Sequence, residues 1–188
     1  MNSMFFINII GLEELEKAGL WEEARKMLLS KWKKNVFDVQ FLIRVATECW
    51  IVLTNWCLID TNGLDYRTFK ETLLETTKFG LDNFYNNSLF LCIIGYMISI
   101  NPASFCTDSS DDDYLFWENK AKEMLYLAHT ANPENMIFKK LYYGQFPKNS
   151  QYEENSIQIQ LVLSDEFLQN TSIEKYFKDI LTDKNILI

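Results

Sequence analysis

Catalysis needs groups that move protons, hold metals or attack as nucleophiles, and this sequence is sparing with them. Its one histidine, His129, lies beside Ala128 in an amphipathic stretch. It reads as a structural residue at the edge of the core or on the surface rather than as a general base. Carboxylates stand side by side at Glu13–Glu14, Glu22–Glu23 and Glu153–Glu154. Neighbours on a helix point ~100° apart, so these pairs read as solvated faces rather than acid/base dyads. Asp108, Asp111, Asp112 and Asp113 offer oxygen ligands, but the run lacks the glycine and terminal glutamate of a calcium loop of the EF-hand type. Cys49, Cys57, Cys92 and Cys106 form no CxxC pair, and one histidine is too few for a zinc set with them. Cys49, Cys57 and Cys92 sit in strongly apolar segments, where a free thiol behaves as a small hydrophobe. The glycines are scattered, with no phosphate-cradling loop and no Gly-x-Ser-x-Gly elbow. The expectation is a protein that is not an enzyme and carries no cofactor and no metal.

The Asp run has a second reading. Carboxylates beside Tyr114 and Trp117 suit contact with a basic partner, since aromatic anchors ringed by charge are common at protein interfaces. Against this stands a solvated loop, with Trp117 in the core by its spacing. The candidate partner-binding residues are Asp108, Asp111, Asp112, Asp113, Tyr114 and Glu118, with Glu75 and Asp82 on the polar face of an earlier helix. The net charge is −8. Such a surface repels phosphate backbones, which disfavours direct nucleic-acid binding, and it attracts basic proteins. The same charge also serves plain solubility.

The elements that must position these groups are helices. The chain has 188 residues, 48% of them hydrophobic and 23% charged, enough for a sizeable core in one domain. Residues 12–34 show helical periodicity broken by Gly19. Asp38 caps a long helix through Trp50 and Trp56 that is apolar on nearly all sides and therefore central. Arg44, Glu48 and Asn55 interrupt it, so 39–59 reads as a core helix rather than a membrane span. Tyr66, Phe69, Leu73, Thr77, Leu81 and Phe84 mark a third helix, with Glu71, Glu75, Lys78 and Asp82 on another face. The cluster Asn86–Asn87–Ser88 reads as a turn with a cap for a fourth helix over 89–100, ended by Asn101–Pro102. After a polar loop over 103–113, an amphipathic helix over 114–131 is expected to bury Trp117, Ala121, Met124, Leu125, Ala128 and Ala131. A short helix over 134–143 closes at Gly144. The segment 147–163 reads as an extended connection, with its Ile-Gln alternation either a short strand or an extended packing segment. The C-terminal helices occupy 164–188, the last capped by Thr171 and Ser172. The N-terminus is a poor signal peptide, and a soluble, cytoplasmic protein is expected.

Two stretches fit the second helix of a tetratricopeptide-type hairpin. One is Gly19, Leu20, Trp21 and Ala24 continuing to Leu28; the other is Ala121, Leu125, Ala128 and Pro133. Small residues let antiparallel helices approach closely, and proline ends the unit. Gly95 is the matching small position on the partner helix, which makes 103–113 an insertion inside one hairpin. Val36 stands where the repeat would carry proline, and the copies are irregularly spaced. The fold class expected is all-α: antiparallel helix hairpins in a tetratricopeptide-like irregular bundle.

Four stretches in this order resemble helical immunity proteins of bacterial contact-dependent growth inhibition systems, in particular those directed at EndoU-type RNase toxins. They are the helix with Glu48, Cys49, Trp50, Ile51, Val52 and Leu53; the helix from Ile93 and Ile94 through Gly95 and Tyr96 to Ser99; the repeat helix from Ala121 to Pro133; and the C-terminal run Tyr176, Phe177, Lys178, Asp179, Ile180 and Leu181. The resemblance implies a cytoplasmic inhibitor that binds a basic toxin domain as a 1:1 heterodimer and blocks its active site. It names no contact residues. From the residues alone, a tetratricopeptide-like scaffold or peptide-binding regulator stands as the alternative.

Overall fold

A computed structural model describes residues 6–108, 110–146, 150, 152, 154, 155, 159 and 171–182. All regular structure among them is helical, as the periodicity predicts. The helices are α1 (Leu12–Lys17), α2 (Trp21–Lys34), α3 (Val39–Thr54), α4 (Tyr66–Asn83), α5 (Ser88–Ile100), α6 (Asp111–Ala131), α7 (Met136–Tyr143) and α8 (Ser172–Thr182), with a 3-10 turn at Pro102–Ser104.

Each start has a local cause. The side chains of Asp38, Asp65, Asn87, Ser110 and Asn135 accept hydrogen bonds from backbone N–H groups of the first turns of α3 to α7. Thr171 Oγ1 does the same for the Glu174 N–H at 3.3 Å. Gly19, between α1 and α2, has φ +70°, a conformation that favours glycine.

The helices pair as hairpins. The α5–α6 contact is the most extensive in the molecule, followed by α3–α4; α3 also packs on α5, and α5 on α7. At the α5–α6 crossing a Cβ on Gly95 would stand 3.0 Å from Met124 Cβ and 3.2 Å from Leu125 Cγ. Ala121, Leu125 and Ala128 are buried there. The small residues therefore sit where the repeat spacing places them. At Gly80 on α4 a Cβ would collide with the Phe90 ring, so α4 meets the start of α5 at another spot reserved for glycine.

The C-terminal helix α8 crosses the first helices of these hairpins. It contacts α1 and α7, and its aromatics reach α3 and α5. Tyr176 lies 6.0 Å from Trp50, and Phe177 lies 5.8 Å from Tyr96 and 5.1 Å from Phe6, between ring centres. Ile173, Phe177 and Leu181 are buried in this contact. Within 147–163 the expectation of an extended connection is corrected: Ser150, Tyr152, Glu154, Asn155 and Ile159 are helical, and Asn155 and Ile159 are buried. Buried residues need their backbone polar groups paired, and a helix supplies that internally. The residues read as the start of the C-terminal helices, from Ser164 up to Asn170, lie outside the described residues.

Charge also enters the core. Arg44 on α3, 3% exposed, donates to Glu16 on α1 and, at 2.8 Å, to Glu48 one turn along α3. The other oxygen of Glu48, Oε1, is buried and makes no hydrogen bond among the described residues. Arg25 on α2 grips Glu22 through both Nε (2.8 Å) and Nη2 (2.7 Å) and donates to Thr72 of α4 at 3.0 Å.

Removing Arg44 strands two buried carboxylates. Arg44→Ala is therefore expected to cost about 3–5 kcal/mol of unfolding free energy in urea titrations. Replacing the trio together (Glu16→Leu, Arg44→Met, Glu48→Leu) should recover most of that loss. Equal instability of the single and triple variants would show that the charges are not the cause.

Candidate functional site

The expected acidic site centres on the start of α6, and its four aspartates take different jobs. Asp113 Oδ2 accepts the Thr107 N–H at 2.6 Å, the Asp108 N–H at 3.2 Å and the Thr107 hydroxyl at 3.1 Å. The Asp108 and Thr107 amides hold its carboxyl below the ordinary aspartate range. Asp108 in turn accepts the Ser110 N–H at 2.7 Å, and the Ser110 hydroxyl accepts the Asp113 N–H at 3.1 Å. Asp113 is thus committed to shaping the loop. Asp111 and Asp112 remain exposed in the first turn of α6, where the helix dipole favours negative charge.

Beside them stand three consecutive exposed apolar side chains: Tyr114 at 43%, Leu115 at 50% and Phe116 at 55% exposure. Trp117, by contrast, is core, as its spacing predicts. It packs 5.7 Å from Phe105, with Phe116 edge-on to it at 5.3 Å. Sequence reasoning picked out Tyr114 and missed Leu115 and Phe116. The available signal was their register, since both precede Trp117, the first buried residue of α6, and lie off the stripe that Trp117, Ala121, Met124, Leu125 and Ala128 define. Glu118 pairs with Lys122 at 2.8 Å. Glu75 and Asp82 are exposed on α4, which packs on α3, whereas α6 packs on α5 and α7. The acids are therefore carried by two different helices, and those of α6 directly precede exposed aromatics.

Tyr114, Glu118 and Lys122, spaced by four along α6, also line a cavity of about 480 Å³. Its other walls come from the end of α5 (Tyr96, Ser99, Ile100), from Lys140 and Leu141 of α7 with Gln145 behind them, from Tyr152 and from Ile180 of α8. Lys140 is 1% exposed, its ammonium 4.8 Å from the centre of the Tyr152 ring. Burial pushes the Tyr96 phenol far up, so it stays protonated and able to donate.

The remaining reactive groups do not converge. His129 stacks on Tyr142 at 5.0 Å and 18°, and burial, then Lys139, lower its pKa. Cys49 and Cys92 are buried, with burial pushing both thiols up; Cys57, expected inside an apolar segment, is exposed because α3 ends at Thr54. Among the described residues no cluster of histidine, cysteine, aspartate and glutamate is arranged to hold a metal ion. No protein-family model matches the chain, nor does any curated protein or solved structure.

The division among the aspartates is testable. Asp113→Asn should speed hydrogen exchange at the Thr107 and Asp108 amides, while Asp112→Asn should leave both unchanged. Because the folded pKa of Asp113 lies below its unfolded value, its contribution is full above the ordinary aspartate pKa. It is lost as pH falls through the lower folded value. Exchange corrected for intrinsic rate should therefore rise at these two amides only on acidification through that window.

Proposed function

We propose that this chain is an inhibitor that captures a basic protein domain in a 1:1 complex through the exposed start of α6. We further propose that the domain is an EndoU-type RNase toxin of a contact-dependent growth inhibition system, so that the chain acts as its cytoplasmic immunity protein. One observation carries the docking part. Tyr114, Leu115 and Phe116 expose apolar surface next to Asp111 and Asp112, on a chain of net charge −8. Exposed aromatics grouped this way supply the desolvated centre of an interface, and the acids steer a cationic partner to it. An RNase cleft is cationic because it must hold phosphates, so an acidic patch with an aromatic centre complements it. The toxin's identity rests on the resemblance of the helices around Trp50, Gly95, Ala121 and Tyr176 described above. No helix among the described residues is long and apolar enough to cross a membrane.

The hairpin stacking favours a second reading, a peptide-binding scaffold. Aromatics of α8 already occupy part of the first helices, Tyr176 against Trp50 of α3 and Phe177 against Tyr96 of α5. That contact makes the α6 face the better candidate for a partner.

The test is to mix the chain with an EndoU-type toxin domain at equimolar ratio and follow RNA cleavage. Cleavage should stop, with nanomolar or tighter binding, about −12 kcal/mol. Phe116→Ala should weaken the complex at least tenfold, about 1.4 kcal/mol. The pair Asp111→Asn and Asp112→Asn should slow association and flatten its salt dependence. Undiminished cleavage would rule out the toxin assignment, and binding indifferent to Phe116→Ala would rule out the α6 face.

A further inference from the structure

We propose that α6 is also a self-association face, on which a second copy of this chain docks its own α6 antiparallel, about a two-fold axis level with Lys120. This goes beyond the docking reading and does not rest on it, although Asp111 and Leu115 belong to both.

The argument starts from helical geometry. At ~100° per residue, Asp111, Leu115, Glu118, Lys122, Tyr126 and His129 fall within an arc of roughly 80° on α6. The buried stripe of Trp117, Ala121, Met124, Leu125 and Ala128 lies outside that arc. Leu115 is 50% and Tyr126 51% exposed, and Asp111 and Lys122 are exposed as well.

This face reads alike from either end. Asp111 and His129 stand nine positions before and after Lys120, and Glu118 and Lys122 two before and after. Leu115 stands five before it and Tyr126 six after. A two-fold axis at that level, perpendicular to α6, brings each residue level with its counterpart on the second copy. Leu115 then meets Tyr126 of the second copy, and the symmetry makes the contact twice. The Tyr126 ring lies 6.0 Å from Tyr142 of α7, and Phe146, 44% exposed, lies 5.4 Å from Tyr142, so Leu115 arrives on an aromatic surface. A partner of other sequence places no demand for symmetric spacing on this helix, whereas a second copy does.

The charges fit the same operation. Glu118 and Lys122 pair within the chain at 2.8 Å, and docking leaves that pair intact. Its copy lies against it in reverse, so each carboxylate faces a second ammonium and each ammonium a second carboxylate. At the ends Asp111 comes level with His129 of the second copy, where Lys139 adds positive charge. A parallel arrangement would set Glu118 against Glu118 and Lys122 against Lys122, so the charges select the antiparallel order.

The test is sedimentation equilibrium of the full chain, raised to on the order of 100 μM. The average mass should climb from that of one chain toward that of two. Leu115→Asp should weaken the dimer at least tenfold. Glu118→Lys alone brings four ammonium groups together, and Lys122→Glu alone brings four carboxylates together, so neither variant should self-associate. Mixed in equal amounts, these two variants should form a heterodimer about as tight as the original dimer, because every charge again faces its opposite. Circular dichroism of all three variants should match that of the unaltered chain, since none of the three side chains is buried. The proposal is overturned if the chain stays a single copy at that concentration, if Leu115→Asp or either charge variant associates as before, or if the mixed variants fail to pair. No toxin domain enters any of these measurements, so their outcome is separate from that of the RNA-cleavage test.

Discussion

One buried arginine holds two carboxylates out of water, and their pairing ties α1 to α3. Arg44 joins Glu16 of α1 to Glu48 of its own helix, with all three side chains nearly inaccessible. Hydrophobic burial has no direction, so it does not by itself choose how the short α1 lies on α3. A charged hydrogen-bond network does choose, because a misplaced α1 would leave buried charge without a partner. The trio is not charge-balanced: two carboxylates face one guanidinium. Its stability therefore depends on geometry and exclusion of water from one side of α3, and α1 helps to provide that exclusion.

From that fixed layer the functional surfaces follow. The first helices of the hairpins stand side by side, and α8 lies across them with Tyr176 against Trp50 and Phe177 between Phe6 and Tyr96. The second helices of the two hairpins, α4 and α6, pack on α3 and α5. Of these, α6 is set most firmly. Gly95 lets it close onto α5, and the Ser110–Asp113 exchange fixes its first turn. A rigid first turn that presents Asp111, Asp112 and Phe116 loses little conformational freedom when a partner arrives, which favours affinity.

Local signals were readable from the residues, and tertiary ones were not. Asp38, Asp65, Asn87 and Thr171 start helices because a short side-chain oxygen reaches the free N–H groups of the next turn, a matter of adjacent residues only. The Gly95, Ala121 and Ala128 positions were also legible, since close helix approach demands small residues whatever the surroundings. Arg44 and Glu48 read as polar interruptions of a buried helix, because the second partner of Arg44, Glu16, lies 28 positions away and no periodicity reveals it. The jobs of the aspartates were equally hidden. Asp113 looks like Asp112 in sequence, and only the path of the loop back past Thr107 turns one into a clamp and leaves the other in solvent. The Ile-Gln alternation near Ile159 suggested an extended chain, yet Ile159 is helical, which shows that a four-residue alternation is too short to decide the period.

The acids at the start of α6 have a sufficient structural reason to exist, since negative charge there is favoured by the helix dipole. That reason covers Asp111, Asp112 and Asp113 alike, so charge alone carries no functional weight. It does not cover Leu115 and Phe116. Neither side chain caps or fills the core, and each leaves about half its surface in water at an unfavourable hydration cost. Isolated exposed apolar residues are ordinary, but here three follow one another at the start of one helix, bordered by acids. Helix stabilisation would have been served as well by polar residues at these positions. The apolar choice, rather than the acidic one, is therefore the observation on which the proposal of a docking face rests.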